Sequence, residues 1–408
     1  MFLGSKDVFD LITDILVLYI AYKAPRGETR ETRGLLGTGV VWAATVFFSV
    51  GLFADVINIV PVPTIFWGVR MVARYFLLLY AIIKLCDYHD VDVFKKFIYK
   101  LFKWNAIACA IEMYLGYSGD VMGGSFVGNA QLILFMIISL IIFTTDFFNG
   151  KISLKSYIGR IVIIFVIAMW AEIKFLYFFT PLCVYSGYVL VRKFHVGHII
   201  GLILAYSLLI PVMQLALRFY YPEEYVNKVF DMEYIEQETH HDGYNLSAIG
   251  RSFNRGTCVE KAETLLLQDP LHYWIGHGLG SGTNSGTFNT WINQRYRDTG
   301  YFYFTSSYLL IETGWIGYIA FLLVYLFITI RFWKAYWHQE DETIRYWATL
   351  GMMMGLFTFM LIWYNDRPYV DYYLPFILWA FCLLGVVRKG KEMDEDEVEV
   401  EPNKVFTE

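Results

Sequence analysis

The residues of this chain best suited to chemistry are a set of arginines, a few acids and histidines, and a run of glycines. Arg70 and Arg74 stand four apart in GVRMVARY, so on a helix they share one face. A guanidinium presents a planar fork of donors that matches phosphate oxygens. Arg251 and Arg255 follow in NLSAIGRSFNRG, and Glu172 and Lys174 in AEIKF. His240, His241 and Asp242 in ETHHDGYN could take a proton from a hydroxyl. Glu172 and Glu312 are further candidates for that task, Glu312 having bracing of its helix as its other reading. A glycine string, Gly276, Gly278, Gly280 and Gly282, lies in DPLHYWIGHGLGSGTNSG. It lacks the GK[ST] that would cradle a nucleotide. The glycines instead let the backbone turn tightly and approach a neighbour, and His277 among them reads as structural. No histidine or cysteine cluster at ligand spacing indicates a metal, and no cofactor is expected.

The elements that must position these groups are membrane helices. Of the 408 residues, 57% are hydrophobic and only 17% charged, and the mean hydropathy is +0.44. A soluble domain carries about 25% charged residues, so a cytosolic globular enzyme is excluded. The net charge of −5 is concentrated at the end of the chain, where residues 388–408 hold 8 acids against 4 bases, or −4 of the total. That acidic stretch has the composition of a solvated, disordered tail. The remaining body is almost neutral, which argues against nucleic acid as a partner. The five cysteines outline no disulfide framework. The amino terminus has no basic region or cleavage motif, and is expected to be a retained helix.

About 20 apolar residues cross a bilayer as a helix. That measure yields about 11 transmembrane helices, near residues 7–23, 36–59, 63–85, 102–117, 128–146, 157–172, 175–191, 198–218, 307–330, 346–364 and 370–387. Lys and Arg of short loops gather on cytoplasmic sides. Lys23, Lys95, Lys96, Lys151, Lys155, Arg192, Arg331, Lys334 and Arg388 all fall in one set of alternate connections. The amino terminus is thereby expected outside and the carboxy terminus in the cytoplasm. The expected organisation is helices 1–8 over residues 1–218, a large extracytoplasmic loop over 219–306, helices 9–11 over 307–387, and the tail over 388–408.

Ionisable residues inside spans are costly and mark function unless paired. Asp55, Arg70, Arg74, Glu112, Glu172, Lys174, Arg218 and Glu312 are expected at one depth, around a hydrated cavity that opens on the side of the long loop. Two readings stand for Arg70 and Arg74. Either they are neutralised by carboxylates at equal depth, with Asp55 or Glu112 as the obvious partners of Arg70, or they grip phosphate. Snorkelling at a helix end is the alternative for Glu172 and Lys174, and Asp10 and Asp14 receive no assignment. The loop aromatics, Trp274 and Tyr303 among them, suit either sugar stacking or interfacial anchoring.

Three pieces recur in a recognisable order: Gly250-Arg251, then P-x(5)-G-x-G-x-G from Pro270, then L-x-x-E-x-G-x-x-G from Leu309 to Gly317. Together with the helix-rich layout and single long loop, this order resembles the O-antigen polymerase and ligase family, the Wzy-type and WaaL-type integral membrane glycosyltransferases. The resemblance implies a GT-C-like all-α polytopic membrane fold. It implies metal-independent, inverting transfer from an undecaprenyl-diphosphate-linked donor to an acceptor of the same kind, at the periplasmic or exterior face of a bacterial cytoplasmic (inner) membrane. The product would be a surface polysaccharide such as lipopolysaccharide O-antigen or capsule, and a flippase and a chain-length regulator would be partners besides the bilayer. Arg251 matches the loop arginine that meets the diphosphate, and Arg70 an arginine of an earlier helix. On this reading Arg251, Arg70, His241 and Glu172 form the catalytic set, and Arg255, Arg74, Lys174, Gly278, Gly280, Ser307 and Trp274 line the substrate. One departure stands out: the histidine that many ligases, and some polymerases, place before the L-x-x-E-x-G helix is replaced here by Tyr303, Thr305, Ser306 and Ser307. That favours a polymerase over a ligase; a lipid-linked oligosaccharide flippase or other transporter is the alternative from another class, and a non-catalytic scaffold the remaining one.

Overall fold

The computed structural model describes residues 5–24, 34, 36–192, 197–218, 222–229, 231, 251–284, 288, 290–338 and 341–400. Among these the architecture is all-α. In chain order the helices are α1 (Ser5–Lys23), α2 (Thr38–Ile57), α3 (Val62–Leu85), α4 (Tyr88–Tyr114), α5 (Asn129–Phe148), α6 (Leu154–Trp170), α7 (Lys174–Arg192) and α8 (Gly197–Leu217). There follow four short helices, α9 (Glu223–Val229), α10 (Cys258–Leu266), α11 (Pro270–Ile275) and α12 (Trp291–Tyr296), then α13 (Thr305–His338), α14 (Glu342–Tyr364), the single turn α15 (Arg367–Val370) and α16 (Tyr373–Val400).

Six of the described helices, α2, α3, α5, α7, α13 and α14, are long and apolar enough to cross a membrane, and Tyr373–Val386 of α16 is a shorter apolar helix. Outward-facing side chains such as Trp42, Phe53, Phe66, Trp104 and Ile203 are apolar and exposed. A surface of that kind is solvated by lipid rather than water, so the protein is membrane-embedded. The interior follows from sequence in the same way. Helix α5 is apolar on every side over LILFMIISLIIF and is buried all round. It packs on α7 and α14, while α13 joins α2 to α14 and α16 lies against α3, α4 and α14.

Local chemistry sets the helix starts. Asp87 and Asp90 form a capping box at α4, with Asp87 N–H donating to Asp90 Oδ2 at 2.7 Å. Because that cap starts α4 at Tyr88, Lys95 and Lys96 ride on a continuous helix and not in a loop ahead of a span at 102. Asp341 accepts from the Thr343 and Ile344 N–H groups and opens α14.

The described residues between 251 and 304 build a small core of their own. Phe253, Cys258, Ala262, Leu266, Ile292, Tyr301 and Phe304 close over Leu310 and Ile311 of α13. Burial pushes the Cys258 thiol up to about 11, which keeps it an unreactive core residue.

Candidate functional site

Helix α13 is broken. Gly314 has φ 58° and ψ −169° in the middle of it, a conformation open only to glycine without strain. The carbonyls of Ile311 and Glu312, just before the break, are taken up from outside the helix. His277 N–H donates to Ile311 O at 2.9 Å, and Gly278 N–H to Glu312 O at 2.8 Å. The glycine string thus completes the hydrogen bonding of the interrupted helix, as irregular backbone inside a membrane protein must.

Contact this close needs glycine on both sides. A Cβ on Gly314 would lie 2.4 Å from the Trp274 carbonyl carbon, and one on Gly276 would lie 2.5 Å from that of Glu312. The string then passes between helices. Gly280 abuts Gly68 of α3, where an added Cβ would stand 2.2 Å from the Gly280 nitrogen, and Leu279 fills the space beside Gly51 of α2.

Two carboxyls line this segment. Glu312 is fully buried; it accepts from Gly282 N–H at 3.0 Å and from the Tyr369 hydroxyl, so it braces the string against the helix. Asp55 of α2 is 1% exposed, and neither of its oxygens accepts a hydrogen bond. The Leu279 N–H faces it outside hydrogen-bonding geometry. Nearby, Asp269 caps α11 through the Leu271 and His272 N–H groups and pairs with the His272 ring; the His272 hydrogen bond holds its carboxyl below the usual range. His272 Nε2 meets Asn58 Oδ1 at 2.8 Å. Both ring nitrogens are therefore engaged, and His272 ties α11 to the end of α2. His277 stacks on it at 4.1 Å and bonds Leu266 O through Nε2 at 2.8 Å. Burial lowers His277 to about 4, so the ring is neutral at pH 7, a structural histidine.

The arginines of α3 sit one turn along from this contact. Trp67 packs on Phe288 at 5.2 Å and carries the Arg70 guanidinium over its ring at 4.1 Å. The expected pairing of Arg70 with Asp55 or Glu112 is corrected here: Arg70 Nε bonds Asp14 of α1. Glu112 is engaged by the Gly123 and Gly124 N–H groups at 3.1 and 2.7 Å. Arg74 also reaches Asp14, at 3.4 Å, and donates to Val370 O, while the Tyr373 hydroxyl gives Asp14 a further bond at 3.0 Å. Nothing in the sequence singles out Asp14 for this role, because α1 reads as a weak span interrupted by acids.

The loop arginines stand elsewhere. Arg251 is half-exposed and lies 3.6 Å from Asp298. Arg255 donates from Nε to Tyr364 O at 3.1 Å and stacks over the Tyr364 ring at 4.7 Å. The opposite side of this contact leads to α7, because Phe175 packs on Tyr364 at 4.5 Å one residue after Lys174. Glu172 precedes them with φ 53°, a strained conformation for a side-chain-bearing residue. Trp274 is exposed, and Ser307 is buried with its hydroxyl donated to Tyr301 O at 2.6 Å. His241 lies outside the described residues, as do His240, Asp242 and Gly250.

One stretch that the sequence reading passed over joins these pieces, the connection YNDRPYVDYY between α14 and α16. Arg74 reaches Val370 O, and Tyr75 hydroxyl donates to Tyr369 O at 3.2 Å. Tyr369 bonds Glu312, and Thr305 N–H donates to Asn365 O at 3.0 Å. Arg367 sits between Asp366 at 3.1 Å and Asp371 at 3.9 Å. The signal was present: two acids and an arginine in a short gap between apolar runs. Among the described residues no three His, Cys, Asp or Glu side chains group as a metal site. No family model, curated protein or solved structure matches the chain.

Proposed function

We propose that this chain is an integral membrane glycosyltransferase that polymerises oligosaccharide repeat units carried on undecaprenyl diphosphate. The observation that carries the reading is the union of the glycine string with the broken helix. Two of the three sequence pieces behind the resemblance form one hydrogen-bonded unit, through His277 to Ile311 and Gly278 to Glu312, and that unit abuts the helix bearing Arg70 and Arg74. The reading includes eleven spans, a GT-C-like arrangement, and the 219–306 connection on the non-cytoplasmic side.

In the reaction a hydroxyl of the acceptor sugar attacks the anomeric carbon of the donor, and lipid diphosphate departs from the opposite face. Negative charge grows on the leaving group, so a guanidinium beside it stabilises the transition state more than the substrate. Arg251 suits this task, since an exposed ion pair with Asp298 contributes at most about 1 kcal/mol and yields readily to a diphosphate. Arg70 and Arg74, which stand apart from Arg251, would grip phosphate when Asp14 gives way. A second reading, a transporter of lipid-linked oligosaccharide, draws on the interrupted α13 and the ion pair of α1 with α3, both features of transport proteins.

Deleting the gene and resolving surface glycan on a gel separates the readings. Single repeat units without a ladder fit the polymerase, polymer left on the lipid carrier fits a ligase, and loss of all surface glycan with units trapped on the cytoplasmic side fits a transporter. The Arg251→Ala variant should reproduce the deletion at normal protein levels, and a normal ladder would remove Arg251 from the mechanism.

A further inference from the structure

A second polar site lies at the other end of the helix bundle, and the proposed reaction makes no use of it. There the first half of α4 runs beside the end of α5 and the turn into α6, leaving an open cavity of about 360 Å³ lined by Lys95, Lys96, Tyr99, Lys100, Asp146 and Lys151. Four lysine side chains and one carboxylate line it, and that carboxylate is already committed. Asp146 accepts from Lys95 Nζ at 3.3 Å, from the Tyr99 hydroxyl at 2.6 Å and from the Tyr346 hydroxyl at 2.8 Å.

Of the other cations, Lys96 and Lys100 are exposed, and so is Lys151, yet the Lys151 Nζ sits over the Tyr346 ring at 3.6 Å, a contact that fixes an ammonium. Burial, and then the Lys95 charge, lower Lys151 from the ordinary lysine range, and Asp146, Asp92 and Glu342 oppose that without cancelling it. Behind the wall Arg160 stacks over Tyr99 at 4.8 Å. Crowded like charges around an open hollow are a standing electrostatic cost, and a bound anion removes it.

We infer that this cavity binds a phosphate group, presented by an anionic lipid headgroup or by a soluble phosphate ester. Lysine binds phosphate as a point charge, and basic pockets between membrane helices recruit anionic headgroups. The site stands whatever becomes of the glycosyltransferase reading, because none of its residues belongs to that one.

The test uses the full-length protein in a neutral detergent, with thermal unfolding followed by tryptophan fluorescence. Phosphatidylglycerol in mixed micelles, phosphatidylcholine in the same micelles, and inorganic phosphate are titrated separately. A ligand that binds only the folded state raises Tm, so phosphatidylglycerol or phosphate should do so and phosphatidylcholine should not. A full shift from inorganic phosphate alone assigns a soluble ester; a shift from phosphatidylglycerol alone assigns a headgroup. The combined variant Lys96→Gln, Lys100→Gln and Lys151→Gln spares the Lys95–Asp146 pair and relieves the crowding, so it should fold with a Tm no lower than the parent's and weaken the response by roughly fivefold or more. No shift with either anionic probe, an equal shift with phosphatidylcholine, or an undiminished shift in the variant overturns the proposal. Native mass spectrometry of retained phosphatidylglycerol on parent and variant gives an independent readout with the same two outcomes.

Discussion

At one end of the bundle Asp146 sits among Lys95, Tyr99 and Tyr346, with three hydrogen bonds on its two oxygens. At the other, Asp55 is equally buried and accepts none, although the glycine string runs directly against it. A burial cost that is met by partners marks a structural group, while one left unmet marks a place where the fold tolerates expense. The same contrast holds for backbone. Helix α5 near Asp146 is unbroken over twenty residues, whereas α13 near Asp55 is interrupted and repaired by another segment. Irregular backbone and an unsatisfied carboxyl therefore gather at one end of the bundle. At the Asp146 end, Lys96, Lys100 and Lys151 line an open hollow instead.

The sharpest way to break this comparison is at the glycine contact. Gly68→Val should abolish the folded protein, because its side chain would meet backbone atoms of Gly280; overpacking costs about 1–3 kcal/mol even where side chains can give way, and here backbone must move. Size-exclusion profiles in detergent would show aggregate, and a monodisperse peak with the parent Tm would mean that the glycine string does not lie between α2 and α3.

Asp146→Ala comes next. It strands Lys95 and two tyrosine hydroxyls, and breaking such a pair destabilises by about 3–5 kcal/mol, measurable as a fall in Tm. A wild-type Tm would show the Asp146 end to be as loosely determined as the other.

A smaller effect is expected from acid. Folded His277 is held at about 4, below its ordinary 6.5, so the unfolded chain binds the proton first. Stability is intact above pH 6.5 and declines as pH falls toward 4, by up to about 3 kcal/mol. His277→Gln, which keeps a donor for Leu266 O, should flatten that part of the stability profile. A profile unchanged by the substitution would place the ring in water.

The smallest loss belongs to Asp55→Asn. With no hydrogen bond to lose and an unmet burial cost relieved, stability at pH 7 should hold or rise rather than fall. A loss as large as that of Asp146→Ala would erase the distinction between the two acids.

Composition and the lengths of apolar runs were enough to establish a helical, membrane-embedded chain, because hydrocarbon admits long stretches of backbone only when each segment satisfies its own hydrogen bonds. The glycine string was also legible as a place of close backbone approach, since that need is local to the residues themselves. Its neighbour was not, and neither was the carboxylate that answers Arg70. Asp14 lies 56 positions away on α1, and Asp55 and Glu112 looked equally suitable by depth. Depth along a helix can be counted from a sequence; the direction a helix face turns is set by how its neighbours pack. The connection from Asn365 to Tyr372 joins Arg74, Tyr75, Thr305 and Glu312 for the same reason: these groups meet only because α13, α14 and α16 have their ends beside the middle of α3, and that convergence belongs to the tertiary structure.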